Sequence, residues 1–118
     1  MNAIPQAVPL PESVIRHIVE KHGEDKFPQI VRGAIQNVLT SKPAHRIAMM
    51  QAALPAIDSE QMYGVPCKLP EDIAKKFFEY CETMNLSSEV LLVGSTLFLL
   101  EIVTPPKDLP SFDDVCGV

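Results

Sequence analysis

The chain has 118 residues, 47% of them apolar and 21% charged, with a formal net charge of −5. That composition excludes a disordered chain and allows one compact domain with a real core. The charge is uneven: residues 1–58 hold six basic and five acidic side chains, and residues 59–118 hold four and ten, so the chain lacks the overall basic stripe usual in nucleic-acid binders.

In chain order, residues 1–11 carry Pro5, Pro9 and Pro11, and Ile4 to Pro9 reads as extended. The spacing of Val14, Ile15, Ile18 and Val19 predicts an amphipathic helix from Glu12 to His22. Gly23 stands where a left-handed C-terminal turn is wanted. Asp25 is the predicted N-cap of a second helix that runs to Leu39, with Pro28 tolerated in its first turn. After Pro43, Ala44 to Leu54 predicts a third helix with Ile47, Met50 and Leu54 on its apolar face, closed by Pro55. Tyr63 to Lys68 is again extended. Glu71 to Met84 is predicted helical, burying Ile73, Phe77, Phe78 and Cys81, with Asn85 taking the turn. Ser87 or Ser88 caps a last, very apolar helix to about Val103, which Thr104-Pro105-Pro106 ends. Residues 104–118 read as an acidic, Pro-containing tail, ordered at most in part.

The apolar stretch Val90 to Val103 is too short to span a bilayer, for which about 20 residues are needed, and Met1 to Pro11 lacks the features of a signal peptide. The three cysteines, Cys67, Cys81 and Cys116, show no zinc-motif spacing and fit a reducing, cytoplasmic setting. His17, His22 and His45 have no metal-ligand spacing, no Gly-rich phosphate loop occurs, and no catalytic constellation stands out. The sequence therefore predicts a non-enzymatic protein without metal or cofactor.

Leu10-Pro11-Glu12 recurs as Leu69-Pro70-Glu71, 59 residues later. Aligned on these tripeptides, Val14 matches Ile73, Ile18 matches Phe77 and Val19 matches Phe78. With one residue inserted at the turn, Ile30 matches Val90, Val31 matches Leu91 and Ala34 matches Gly94. The agreement predicts two copies of a strand–helix–helix unit, residues 4–39 and 63–103, within one domain spanning residues 1–103 and joined by a helical connection over 40–62.

A short strand ending in Leu-Pro-Glu, then a helix, a turn and a Ser-capped apolar helix resembles the ribbon-helix-helix fold of Arc- and MetJ-type repressors, most closely over residues 63–103. The resemblance implies a mainly α fold, a tandem pseudo-dimer whose two strands form a short antiparallel ribbon. It also implies a DNA-associated regulator or accessory protein, with outward strand residues in the major groove and the second helix's N-terminus against phosphates. Carried over residue by residue, the outward set is Lys68, Pro66 and Gly64 in one strand, and Pro9, Ala7 and Pro5 in the other. The inward set is Val65, Cys67 and Leu69, and Ile4, Gln6, Val8 and Leu10. The DNA-binding candidates are then Lys68, Ser87, Ser88 and Lys26. Because the outward prolines carry no base-reading group, the alternative is a protein–protein interaction module, an adaptor or inhibitor, that keeps the fold and has lost the DNA-reading face. The expected partners are double-stranded DNA or a protein, with no membrane, and the expected assembly is a monomeric pseudo-dimer or a homodimer.

Overall fold

Two extended segments, β1 (Ala3–Pro11) and β2 (Met62–Pro70), frame the fold. The computed structural model describes residues 3–116, with side chains from Gln6 onward. In it the two strands form an antiparallel two-stranded ribbon, with Gln6 opposite Cys67, Val8 opposite Val65 and Leu10 opposite Tyr63. One step beyond the strands, the Glu12 N–H donates to the Gln61 carbonyl at 3.0 Å. Bonded and non-bonded pairs alternate in an antiparallel ladder. The bonded pairs are therefore Leu10·Tyr63, Val8·Val65 and Gln6·Cys67, none of which contains proline. Pro9, Pro11 and Pro66 occupy the intervening pairs, where a missing N–H would have pointed away from the partner strand. This parity is why a proline-rich segment can be a strand here.

The same parity sorts the side chains. Val8, Leu10, Cys67 and Leu69 are buried, while Ala7, Gly64, Pro66 and Lys68 are exposed. The predicted inward Ile4 and outward Pro5 lie outside the residues whose side chains are described.

Each strand runs into a helix. Glu12 to Lys21 form α1, which stops where Gly23 turns left-handed at φ +97° and the His22 and Gly23 N–H groups both donate to the Ile18 carbonyl. A 3-10 turn, Glu24–Lys26, leads into α2 (Phe27–Leu39). The connection forms α3 (Pro43–Ser59). After β2 come α4 (Glu71–Thr83), a left-handed Asn85 at φ +56°, and α5 (Ser88–Leu99). The tail contains one short helix, α6 (Phe112–Val115).

The protein is thus mainly helical with a short two-stranded ribbon. Helices α2 and α5 pack together at its centre, and each rests on the strand of the other half, α2 on β2 and α5 on β1. A single hydrophobic cluster draws on both halves. Within it the Ser95 hydroxyl donates to the Ala34 carbonyl at 2.7 Å. Helix α3 lies so close to α5 at Gly94 that a Cβ there would overlap the Met49 backbone.

Several sequence expectations need correction. Val19 and Phe78, predicted to be buried, are 46% and 48% exposed; both stand at the outer edge of their helices, beside the ribbon, while Ala74 is buried in α4 instead. Helix α3 does not stop at Pro55 but runs to Ser59. Pro55 and Gln51 are both exposed, so the carbonyl that Pro55 leaves unbonded meets water and the helix persists. The buried face of α3 is His45, Met49 and Ala53, and Ile47 and Leu54 point outward. The halves differ by more than one inserted residue: α4 is 13 residues and α1 only 10, with the 3-10 turn making up the length. Asp25 lies in that turn and caps nothing. Helix α5 ends at Leu99 rather than near Val103, closed by Glu101 at φ +57°.

The tail is also better ordered than its composition predicts. Leu109 and Cys116 are buried, the Asn37 side-chain amide donates to the Pro110 carbonyl at 3.1 Å, and Gln29 donates to the Cys116 carbonyl. Cys116 sits against Gly33 of α2, where only a glycine leaves it room.

Candidate functional site

Among the described residues, the outward positions of the ribbon are Ala7, Pro9, Pro11, Met62, Gly64, Pro66, Lys68 and Pro70, of which Pro11 is buried and Met62 packs partly against the core. This face is mostly apolar and carries one charge. Phe78 flanks it on one side, in a small cavity lined also by Ala7, Pro9, Ser88, Glu89 and Leu92. Val19 flanks it on the other, in a groove with Tyr63, Gly64 and Pro66. The cavity beneath Phe78 holds about 60 Å³, well below the roughly 300–1,000 Å³ of small-molecule sites. The groove on the Val19 side is larger, about 500 Å³, and open to solvent along the ribbon.

The sequence-predicted residues divide between the two sides. Lys68 is exposed and looks into a groove shared with Asp25, Pro28, Gln29 and Arg32 of the 3-10 turn and α2, and with Cys116 of the tail. Lys26 is exposed at the start of α2. Ser87 is the N-cap of α5, its hydroxyl accepting from the Val90 N–H at 3.3 Å, and Ser88 is half-buried beside β1. The ribbon therefore separates Lys68 from the two serines.

The N-termini of α2 and α5 both abut the ribbon; Glu89 stands in the first turn of α5, and Glu24 and Asp25 stand in the 3-10 turn that leads into α2. Glu24 and Asp25 share a groove with Val65 and Pro66, and Glu89 lines the cavity with Ala7 and Pro9. Glu12 and Glu20 line the Val19 groove, where Arg16 is held by Glu12 at 3.1 Å. A helix N-terminus favours an anion through its dipole and free N–H groups, but the nearby carboxylates Glu24, Asp25 and Glu89 would repel a phosphate here.

Away from the ribbon, sequence reading missed a polar cluster that straps the tail to α3. The His45 Nδ1 accepts from the Lys42 backbone N–H at 3.2 Å, which leaves Nε2–H to donate to Asp108 at 2.8 Å. Lys42 Nζ is 3.4 Å from the other Asp108 oxygen. The His45 hydrogen bond holds the Asp108 carboxyl below its usual range. The three cysteines are buried and free, and burial raises each thiol, that of Cys67 to about 11; such thiols are poor nucleophiles. No group of three metal-ligating side chains occurs among the described residues, and none of the described helices is long and apolar enough to cross a membrane.

No protein-family model matches the chain, and neither a curated protein nor a solved structure gives a significant match.

Proposed function

We propose that this protein is a non-enzymatic interaction module built as a tandem ribbon-helix-helix pseudo-dimer, and that it binds a protein partner through the outer face of the β1·β2 ribbon. The ribbon register supports the scaffold. With the 59-residue offset of the repeat, Ala7 and Pro66 are equivalent positions, and they stand directly opposite each other. A local twofold axis through that pair would generate such a ladder. The Ser95–Ala34 bond likewise joins a residue to the neighbour of its own repeat equivalent, Gly94.

The observation that carries the choice of ligand is the chemistry of the outer face. Base reading needs donors and acceptors aimed into the groove, and the described outward positions offer four prolines, an alanine, a glycine, a methionine and Lys68. The carboxylates Glu24, Asp25 and Glu89 flank that face and would oppose phosphates. An apolar, proline-bearing surface rimmed by acids suits a protein with an apolar patch and basic surroundings. The buried, unpaired cysteines agree with a cytoplasmic setting.

A DNA-associated role is the second reading, favoured by one specific observation, the exposed Lys68 on the ribbon. The test is a fluorescence-anisotropy titration against mixed-sequence duplex at low salt. The interaction-module reading predicts no saturable binding. Binding that falls steeply with salt and weakens in Lys68→Ala would support the DNA reading instead.

A further inference from the structure

Two corners of the ribbon face occupy equivalent positions of the repeat, yet their chemistry is opposed. With the offset of 59 in the strands and 60 in the second helices, Lys68 corresponds to Pro9, Gln29 to Glu89 and Arg32 to Leu92. Lys68, Gln29 and Arg32 line one groove of about 480 Å³, and Pro9, Glu89 and Leu92 line the cavity beneath Phe78. The first corner is cationic. Lys68 and Arg32 are both exposed, and neither makes an ion pair among the described residues. Asp25 shares their groove and pairs with neither. The second corner is apolar with a carboxylate at its edge, where the half-buried Glu89 shares the cavity with Ile35, Leu69 and Phe77. The acidic rim of the ribbon is thus broken at one corner.

Taking the ribbon as a protein-binding face, a reading on which this depends, we propose that it receives a short extended segment of the partner. The segment sets a carboxylate side chain at the Lys68–Arg32 corner and an aliphatic one in the cavity beneath Phe78. Lys68 stands opposite Pro5 and Pro9 opposite Gly64, so the corners lie four residues apart along the ribbon, about 13 Å at the usual rise of a strand. The line between them crosses the Ala7·Pro66 pair, where small side chains leave room for a backbone. An extended chain carries residues i and i+4 on one face at the same spacing, so the acid and the aliphatic residue are four positions apart. Arg32 offers a carboxylate two parallel donors, and Lys68 adds a point charge. A water needs roughly 10–15 Å³ of cavity, so about 60 Å³ admits a side chain of about four carbons, such as leucine. Glu89 decides the orientation. Turned round, the segment would bring its carboxylate against Glu89 and leave Lys68 and Arg32 facing an apolar group.

Panning a phage-displayed library of random linear peptides on the immobilised full chain tests the proposal. The selected peptides should carry Asp or Glu four positions from Leu or Ile. In fluorescence anisotropy, changing the acid to Lys or the aliphatic residue to Ser should weaken binding about tenfold or more. Arg32→Glu combined with Lys68→Glu should weaken the acidic peptide equally and restore binding of its Lys version, a reversal that a damaged surface would not produce. Both side chains are exposed, so far-UV circular dichroism should be unchanged. Ala7→Gln, which obstructs the middle of the face, should abolish binding of every selected peptide. Peptides that Ala7→Gln displaces and charge reversal does not would overturn the inference and leave the protein-binding reading intact. A library with no binder sensitive to Ala7→Gln, or duplex DNA bound through Lys68 and Arg32, would overturn both.

Discussion

Lys68 is the sole charged side chain on the described outer face of the ribbon, and Asp108, bonded to His45 of α3, holds the tail. A carboxylate whose folded pKa lies below its unfolded value adds stability above the unfolded value and loses it as pH falls through the folded one. Asp108 is lowered mainly by the hydrogen bond from His45, and Asp114 by its bond from the Ser111 backbone N–H. Asp108 ties the tail to α3 and Asp114 caps α6 within it, so protection of residues 106–116 in hydrogen exchange should fall selectively below about pH 4, while protection of α2 and α5 should persist. In the core, Ser95→Ala removes the buried donor to Ala34 and should cost about 1 kcal/mol in urea unfolding. Which of these residues matter was unevenly legible. Lys68 was placed correctly because a strand alternates faces every residue, so one anchor, Leu69, fixes its neighbours. His45 and Asn37 were not legible, since their partners Asp108 and Pro110 lie 63 and 73 residues away and no local pattern announces them.

At the scale of elements, the ribbon and the α3·α5 contact carry the sharpest predictions. Val8 sits in a bonded pair and Pro9 in a non-bonded one, so equal-looking substitutions should differ. Val8→Pro removes a ladder donor and strands the Val65 carbonyl, costing about 2 kcal/mol or more. Pro9→Ala should cost less than about 1 kcal/mol. Gly94→Ala drives a methyl into the Met49 backbone, which cannot give way as a flexible side chain would. It should cost about 3 kcal/mol and lower the melting temperature by roughly 10 °C. Helix starts and stops with a local chemical cause were readable, as at Gly23, Asn85 and Ser87. Faces were less so. Val19, Phe78, Ile47 and Leu54 have the right period to be buried, but burial depends on where the neighbouring element ends. The ribbon is too narrow to cover the outer edges of α1 and α4, and α5 covers only one side of α3.

Across the whole molecule, one architectural fact was legible from the doubled Leu-Pro-Glu: two distant segments pair as antiparallel strands, from β1 to β2. Each second helix then seats on the other half's strand, so neither half has a complete core alone. The tail completes the fold by packing on α2, which composition could not reveal, because an acidic, proline-bearing stretch looks the same bound or free. What this architecture presents at the ribbon is an apolar face with acidic flanks, and the claim that it meets a protein is the centre of the account. The most direct measurement is site-specific photocrosslinking in the cells that make the protein, with Pro66 replaced by benzoylphenylalanine at the middle of the ribbon and Thr83, exposed at the end of α4, replaced as a control. The account predicts an adduct of discrete mass at position 66 alone, destroyed by protease and untouched by nuclease. A nuclease-sensitive adduct at position 66, lost in Lys68→Ala, would contradict it.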